Sequence, residues 1–248
     1  MAHEDAPDPP DEAALVRRAR RDGVSLALAV GLVGVVFGVL ARTSGLSVAK
    51  ACAMSLLVFT GASQFTAVSI VAAGGSPFSA LASALLLAAR NTFYGPVAAR
   101  WFEGDRLPRR LATAQVIIDE STGVGAAQPT NPSRRAGFLA AGIGTYVAWN
   151  LGTLVGAAAG NLVGDLERLG LDAAFAAVFV ALLVPHVGNR PGRVAALVAG
   201  AAALAVTPVL PVGLPIVVSA VGAIAGAAVA ERADLPGSDA PQSPGAPE

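Results

Sequence analysis

The chain has 248 residues, of which 54% are hydrophobic and only 14% are charged, and its formal net charge at pH 7 is zero. Because soluble domains contain about 25% charged residues, this composition indicates a protein embedded in a lipid bilayer. No basic patch is interleaved with aromatic residues, which excludes a nucleic-acid partner. One cysteine and two histidines provide no cluster with zinc-ligand spacing, so we expect no metal site and no other cofactor.

The two ends of the chain differ from its middle. Residues 1–22 are polar and contain four clustered arginines, which the positive-inside rule places in the cytoplasm. Residues 23–230 form the predicted transmembrane domain, in which apolar runs follow one another closely. Residues 231–248 are rich in proline and acidic side chains, a composition that predicts a disordered tail. We therefore expect a multi-pass protein whose outer surface contacts the lipid bilayer.

The apolar runs predict an all-α fold with about seven transmembrane helices, within a range of six to eight. A helix needs about 20 apolar residues to cross roughly 30 Å of hydrocarbon. Candidate spans lie at 24–41, 50–73, 78–99, 111–127, 136–160, 171–187, 193–207 and 211–230. A weak similarity between 44–59 and 169–184 further suggests internal repeats, which many transporters contain.

The loop at 100–110 disagrees with this arrangement if all eight candidates cross the membrane. It contains four arginines but would lie outside the cell. Either the acidic side chains of Glu103 and Asp105 offset the arginines, or a neighbouring segment is re-entrant. The sequence leaves both alternatives open.

A possible helix break lies halfway through the second candidate span, where Gly61 precedes Ser63 and Gln64. Glycine beside two polar side chains can interrupt a membrane helix, and an interruption is tolerated only where it is buried in protein or lines a polar cavity. This pattern predicts a substrate-binding site at a broken helix. Close packing of helices through small residues is the alternative.

Polar residues also interrupt the third candidate span. Arg90 and Tyr94 lie on one helical stripe with Asn91 at its border, and Gly95-Pro96 should end the helix. An arginine at membrane depth costs roughly 2.5 kcal/mol or more, so it is rarely present without a function. Arg90 could bind a substrate carboxylate through its planar guanidinium group, or it could pair with an acidic side chain of the protein.

Asp119 and Glu120 are adjacent carboxylates in the fourth candidate span. On a continuous helix they would point about 100° apart, so only one of them need face a given cavity. Such a carboxylate is a candidate for coupling transport to an ion, although a wet interface at a helix end would explain the pair equally well. On the fifth span, Asn150 belongs to a neutral polar stripe that suits either substrate contact or hydrogen bonding between helices.

These elements together resemble the AzlC-type branched-chain amino acid permease family. The resemblance rests on FTGASQFTAVSIVAAGGS at 59–76, ARNTFYGP at 89–96, the pair Asp119-Glu120, and WNLGTLVGA at 149–157. It implies the large subunit of a two-component exporter in the bacterial cytoplasmic membrane, which carries branched-chain amino acids or methionine and pairs with a small AzlD-type membrane protein. No phosphate-binding loop of the G-x-x-x-x-G-K-[ST] type is present, so the energy would come from an ion gradient or from the partner.

We therefore expect a secondary transporter rather than an enzyme. The predicted substrate site contains Gly61, Ser63, Gln64, Arg90, Asn91, Tyr94 and Asn150, and the predicted coupling carboxylates are Asp119 and Glu120. Two alternatives are an intramembrane serine hydrolase, with Ser63 as nucleophile and His186 as base, and a membrane scaffold subunit that carries no substrate.

Overall fold

The computed structural model describes residues 11–160, 180 and 183–233. In this part of the chain every regular element is a helix, which confirms the all-α prediction. The helices are α1 (Glu12–Thr43), α2 (Val48–Leu57), α3 (Ala62–Ala72), α4 (Pro77–Ala88), α5 (Asn91–Trp101), α6 (Leu107–Ala114), α7 (Asp119–Ala126), α8 (Asn131–Ala159), α9 (Arg190–Val206), α10 (Leu214–Val218) and α11 (Val221–Ala233). A short 3₁₀ helix lies at Val184–Val187.

Three of the described segments are long and apolar enough to cross a membrane unaided: Glu12–Thr43, Asn131–Ala159 and Leu214–Glu231. The total number of spans stays a prediction, because most of the candidate at 171–187 lies outside the described residues. So does most of the second copy of the predicted repeat at 169–184. The described helices also extend into both predicted tails, since α1 begins at Glu12 and α11 ends at Ala233.

The centre of the fold is a close, parallel pair formed by α1 and α8. A Cβ added at Gly23 would lie 2.7 Å from the amide nitrogen of Ala141, and one at Gly34 would lie 2.8 Å from the carbonyl oxygen of Trp149. The residue numbers rise together on the two helices, so α1 and α8 run in the same direction. Such close approach of two backbones needs glycine at the contact, as in other membrane helix pairs.

The helices α4 and α5 together form one crossing in the opposite direction. At its end, the backbone carbonyl of Trp101 accepts hydrogen bonds from Asn131 and Arg135 at the start of α8, at 3.5 and 3.4 Å. Pro77 therefore lies near the far end of α8, since 25 helical residues extend roughly 37 Å. The side of the membrane that holds the start of α1 and α8 is called the inner side below, and the opposite side the outer side.

The second candidate span at 50–73 is a hairpin that enters and leaves on the outer side. Its first arm, α2, follows the end of α1 and runs inward until the carbonyl of Leu56 accepts a hydrogen bond from the Tyr146 hydroxyl, at 3.2 Å. Its second arm, α3, must return outward because only four residues separate Ala72 from Pro77. The predicted helix break is confirmed, but the prediction of a crossing here is wrong.

The fourth candidate span at 111–127 is a second hairpin, and this one enters from the inner side. It begins beside Asp105, whose carboxylate accepts two hydrogen bonds from Arg135 at 2.8 and 3.1 Å. It ends at Gln128, whose carbonyl accepts from Arg134 at 2.8 Å. Both arms therefore return to the start of α8, and the single crossing predicted here is wrong.

The two hairpins resolve the discordant loop at 100–110. Because neither 50–73 nor 111–127 crosses, the loop lies on the same side as the arginines at the start of α1. This is the re-entrant alternative, and it agrees with the positive-inside rule. The composition of the apolar segments could not separate the two alternatives, because a hairpin and a crossing can contain the same apolar residues.

The described C-terminal helices pack beside the outer part of α4. The Ser83 hydroxyl donates to the carbonyl of Gly213 at 2.9 Å, which fixes the turn before α10 against α4. Gly222 and Gly226 on α11 lie against Ala199 and Ala195 on α9, so these two helices run antiparallel. This arrangement returns the described end of the chain to the inner side.

Cysteine labelling checks the outer hairpin. Single cysteines at Ala49 and Ala73, in a Cys52→Ser background, are expected to react with a membrane-impermeant maleimide from the same side of the membrane. If 50–73 crossed, the two positions would be labelled from opposite sides. Glu103→Cys serves as the matched control, and we expect its labelling only after the membrane is opened from the inner side.

Candidate functional site

The tips of the two hairpins meet at a small cavity halfway along α8. Its volume is about 120 Å³. The lining residues come from both tips, from the junction of α4 and α5, and from α1 and α8: Val30, Val33, Phe59, Thr60, Gly61, Ala62, Phe65, Arg90, Asn91, Ile118, Asp119, Glu120, Thr145 and Trp149. Helix ends and side chains from five segments therefore surround one space at membrane depth.

The outer tip is built by Gly61 and Gln64. Gly61 has a φ of 57°, a left-handed conformation that glycine adopts without a steric penalty. The side-chain oxygen of Gln64 accepts a hydrogen bond from the Gly61 amide at 3.2 Å, so Gln64 caps the start of α3. Gln64 is fully buried but does not line the cavity, and its side-chain nitrogen has no partner among the described residues.

The crossing formed by α4 and α5 is interrupted at Ala89 and Arg90, not at Gly95-Pro96 as the sequence predicts. The amides of Thr92 and Phe93 bond to carbonyls only three residues back, which tightens the backbone at this point. Pro96 lies inside α5, where it cannot donate a bond to the carbonyl of Thr92. The interruption directs Arg90 and Asn91 to the cavity.

The inner tip presents both acidic side chains. Ile118 is extended, and its amide donates to the hydroxyl of Ser121 at 3.1 Å, which starts α7. Asp119 and Glu120 are thus the first two residues of a helix rather than part of a continuous one. Both line the cavity, although on a continuous helix only one of them need have faced it. Their position at a helix N-terminus also favours negative charge.

Arg90 and Asp119 form an ion pair between the crossing and the inner tip. The guanidinium Nη2 lies 2.8 Å from Oδ2 of Asp119, and the two side chains are 36% and 30% exposed. Pairing within the protein is thus the alternative that the structure shows for Arg90. No ion pair is formed by Glu120 with a cation in the described part of the chain.

The long helix α8 contributes two residues that the sequence analysis did not assign to the site. Thr145 and Trp149 are one turn apart and line the cavity, while Tyr146 and Asn150 lie on the neighbouring stripe. Trp149 also packs against Phe37 and Phe65, with ring centroids 5.9 and 6.0 Å away. The four-residue spacing of Thr145 and Trp149 on α8 could have indicated that they share a face towards the site. A tryptophan at that position is, however, equally typical of a hydrophobic core.

Several polar atoms around the cavity are buried without a hydrogen-bond partner among the described residues. On the residues that line it, these atoms are Nε of Arg90, Oδ1 of Asn91, Oδ1 of Asp119, Oγ1 of Thr145 and Nε1 of Trp149. Each unsatisfied buried group costs about 1–3 kcal/mol, so native proteins contain few of them. Their concentration at one cavity is typical of a site that a polar ligand completes.

Four of the predicted substrate residues do not line this cavity: Gln64, described above, and Ser63, Tyr94 and Asn150. Ser63 is only 1% exposed and lies behind Gly61 and Ala62 in the first turn of α3. Tyr94 lies one turn beyond Arg90 on α5, close to Asp119 but outside the cavity lining. Asn150 donates to the carbonyl of Tyr146 on its own helix at 2.7 Å. Regular spacing on a predicted helix therefore assigned to one site several polar side chains that do not all line one cavity in the folded chain.

The residues with metal-binding side chains do not form a cluster of three or more in the described part of the chain. The hydrolase alternative requires contact between Ser63 and His186, and the side chain of His186 lies outside the described residues. The burial of Ser63 behind the hairpin tip does not favour it as a nucleophile.

Comparison with known proteins gives a consistent family match. Residues 25–163 match the family described as AzlC protein, and this range includes every residue that lines the cavity. An uncharacterized membrane protein of Archaeoglobus fulgidus is 35% identical over 171 residues, which cover 68% of this chain and 74% of the relative. No solved structure matches the chain.

Two further relatives have more specific names. The inner membrane protein YgaZ of Escherichia coli is 24% identical over 62% of this chain and 65% of its own length. The branched-chain amino acid transport protein AzlC of Bacillus subtilis is 24% identical over 61% of this chain and 59% of its own length. The chain therefore covers less than two thirds of each of these two relatives.

Proposed function

Because this chain belongs to the AzlC family, whose members serve membrane transport, we propose that it is a subunit of a secondary transporter. This transporter exports branched-chain amino acids, or similar apolar amino acids such as methionine, across the bacterial cytoplasmic membrane. The observation that carries this proposal is the cavity between the two hairpin tips. Carriers bind their substrate near the bilayer midplane where helices are interrupted, and a cavity at two hairpin tips, halfway along α8, supports such a site.

The chemistry of the cavity suits a small amphipathic substrate. Val30, Val33 and Phe65 offer an apolar wall, and Arg90, Asp119 and Glu120 offer charge on the other side. Ligand sites combine an apolar lining with a few placed polar groups in this way. We assign substrate contact to Gly61, Arg90 and Asn91 from the original prediction, and we add Thr145 and Trp149.

Glu120 is our candidate for coupling transport to an ion. Asp119 is already paired with Arg90, whereas Glu120 lines the same cavity without a cationic partner in the described chain. An acidic side chain in such a position can exchange a proton or bind a sodium ion during the transport cycle. Energy from an ion gradient would then drive the export.

A small AzlD-type membrane protein is the partner that we propose. Leu57 and Phe93 flank the hairpin tips and are 79% and 77% exposed in the isolated chain. Between them the backbone at 58–61 is not helical, and irregular backbone at membrane depth must be covered by protein or line a watery cavity. A second polypeptide over this side of the tips would meet that requirement.

Flux through reconstituted protein tests the proposal. Proteoliposomes loaded with labelled leucine are expected to release it when they contain the wild-type chain and its partner. Arg90→Ala should lower the rate by more than about tenfold, since losing about 1.4 kcal/mol of interaction with the substrate corresponds to a factor of ten. Arg109→Ala is the matched control, because Arg109 is 72% exposed and its nearest carboxylate lies 3.9 Å away.

Two results would contradict the proposal. Absence of flux in every combination, with folded protein, would favour another solute or a scaffold role. Equal flux in wild type and Arg90→Ala would remove Arg90 from the pathway. Labelling of Ser63 by a fluorophosphonate probe would instead revive the hydrolase alternative.

A further inference from the structure

A second cavity, separate from the one at the hairpin tips, is a groove between α5 and α6 on the inner side. Its volume is about 330 Å³. An apolar cavity of about 150 Å³ accommodates one benzene molecule, so this groove has room for a longer alkyl segment. Most of its lining is apolar, and the principal contributors are Gly95, Ala98, Phe102, Leu107, Leu111 and Phe138.

Gly95 keeps the deep end of the groove open. It lies inside α5, although glycine is a poor helix former. A Cβ added at Gly95 would meet no atom within 4 Å, whereas one at Gly23 or Gly34 would lie against the backbone of α8. No close helix contact in the described chain therefore requires this glycine. Its missing side chain leaves space for a molecule other than the described chain.

The depth of the groove matches the acyl region of one leaflet. Seven residues separate Gly95 from Phe102, which corresponds to roughly 10 Å along α5. Phe102 follows Trp101 at the inner end of the crossing, beside the start of α8. One leaflet contributes about half of the roughly 30 Å of hydrocarbon. The groove thus follows most of the length that an acyl chain occupies in the leaflet on the inner side.

The helix α6 is amphipathic and places a positive charge at the groove. Leu107 and Leu111 share one face and are 66% and 63% exposed, with Arg110 at the border of that face and Arg109 on the opposite side. Arg110 is the charged side chain among the lining residues. The hydroxyl of Thr113, which also lines the groove, donates to the carbonyl of Arg110 at 2.9 Å and is therefore satisfied within α6.

The arginines of α6 differ in their partners. Arg109 lies 3.9 Å from the carboxylate of Asp105. Neither Arg110 nor Arg106, one turn nearer the inner surface, forms an ion pair with a carboxylate in the described part of the chain. A guanidinium group matches the geometry of a phosphate and can bind it through two hydrogen bonds. The groove therefore combines an apolar channel with two uncompensated positive charges near its mouth.

From this combination we propose that the groove binds one anionic phospholipid of the inner leaflet, with an acyl chain between α5 and α6 and the phosphate at Arg110. Basic pockets between membrane helices on the cytoplasmic side bind anionic headgroups in this way. A zwitterionic headgroup would add a cation beside Arg110 and Arg106, so a headgroup with net negative charge is preferred. Phe93 projects from the other side of α5, so the partner surface proposed above and the groove lie on different sides of this helix.

Thermal unfolding of the full chain in detergent tests the inference without measuring flux, since a ligand that binds the folded state stabilises it. The probes are dioctanoyl phosphatidylglycerol, which is anionic, dioctanoyl phosphatidylcholine, which is zwitterionic, and sn-glycerol 3-phosphate, which has no acyl chain. The anionic lipid is expected to raise the unfolding midpoint at concentrations about tenfold below those of the zwitterionic lipid, because two arginines near the headgroup favour it. Glycerol 3-phosphate should have no effect at these concentrations.

Two variants separate the contribution of the groove from that of the charge. Gly95→Leu fills the groove and should abolish stabilisation by both lipids. Gly123→Leu is its matched control, because a Cβ at Gly123 also meets no atom within 4 Å but Gly123 does not line the groove. Arg110→Gln should remove the preference of about tenfold for the anionic lipid and keep the response to the zwitterionic one. Arg109→Gln, on the opposite side of α6, should retain the preference.

Four results would overturn the inference. Equal responses of the wild type to both lipids would indicate general solvation of the apolar surface. An equal response to glycerol 3-phosphate would indicate binding of a soluble anion. A preference for the anionic lipid that persists in both Gly95→Leu and Arg110→Gln would place the lipid elsewhere. Stabilisation by the purified partner subunit in the absence of lipid, if Gly95→Leu abolishes it, would assign the groove to a protein helix.

Discussion

Asp119→Leu is expected to destabilise the folded protein by about 3 kcal/mol, and adding Arg90→Met should recover most of that loss without restoring transport. The single change leaves the Arg90 guanidinium unpaired at membrane depth. The double change replaces both charges by apolar side chains, which for buried pairs is often neutral or stabilising. Because both side chains are about one third exposed, the loss should fall towards the lower end of the range for buried pairs.

The measurement combines unfolding in detergent with leucine flux for the two single variants and the double variant. Arg18→Met with Asp22→Leu is a matched control, since this pair lies on the polar first turns of α1 at 3.9 Å and its side chains are 78% and 43% exposed. We expect little change in stability there. Recovery of flux in the Arg90 and Asp119 double variant would show that neither charge is needed for transport.

Gly38→Ala is expected to lower stability by about 1–3 kcal/mol, as overpacking of a tight contact does. A Cβ at Gly38 would overlap the carbonyl oxygen of Thr153 and would lie 2.7 Å from the amide nitrogen of Ala157. Both are backbone atoms of α8 that cannot move aside without separating the two helices. The change therefore affects the central pair of the fold rather than one side chain.

Gly200→Ala on α9 is the control for this prediction. A Cβ there would meet nothing within 4 Å, so the better helix propensity of alanine should leave stability unchanged or raise it by up to about 1 kcal/mol. The thermal unfolding midpoint in detergent compares the two variants. Equal midpoints would mean that α1 and α8 can separate at no cost, against the packing described.

The local features of the site could be predicted because each has a local physical cause. Glycine beside two polar residues in an apolar run indicates an interrupted helix, and Gly61 does start α3 in a left-handed conformation. An arginine at membrane depth favours an acidic partner, which the sequence analysis left open beside a substrate carboxylate, and Arg90 does contact Asp119. The first outcome follows from a few neighbouring residues, and the second from the cost of an unpaired charge.

The path of the chain could not be predicted in the same way. A hairpin that turns back at membrane depth and a helix that crosses use the same apolar residues, so 50–73 and 111–127 read as crossings. What distinguishes them is contact over long sequence distance, such as that of Leu56 with Tyr146 or of Asp105 with Arg135. Thr145 was missed for the same reason, since only the approach of both tips makes it a cavity residue.

The parallel pairing of α1 with α8 also determines the order in which the protein can assemble during synthesis. The glycine face of α1 has no close partner in the described chain until α8 emerges, seven helices later. Both hairpins are made before that moment, yet their tips contact α8, so they cannot reach their final positions earlier. Insertion of α8 is therefore the step that joins separate membrane segments into one packed bundle, and a chain that stops before it should be a target for membrane quality control.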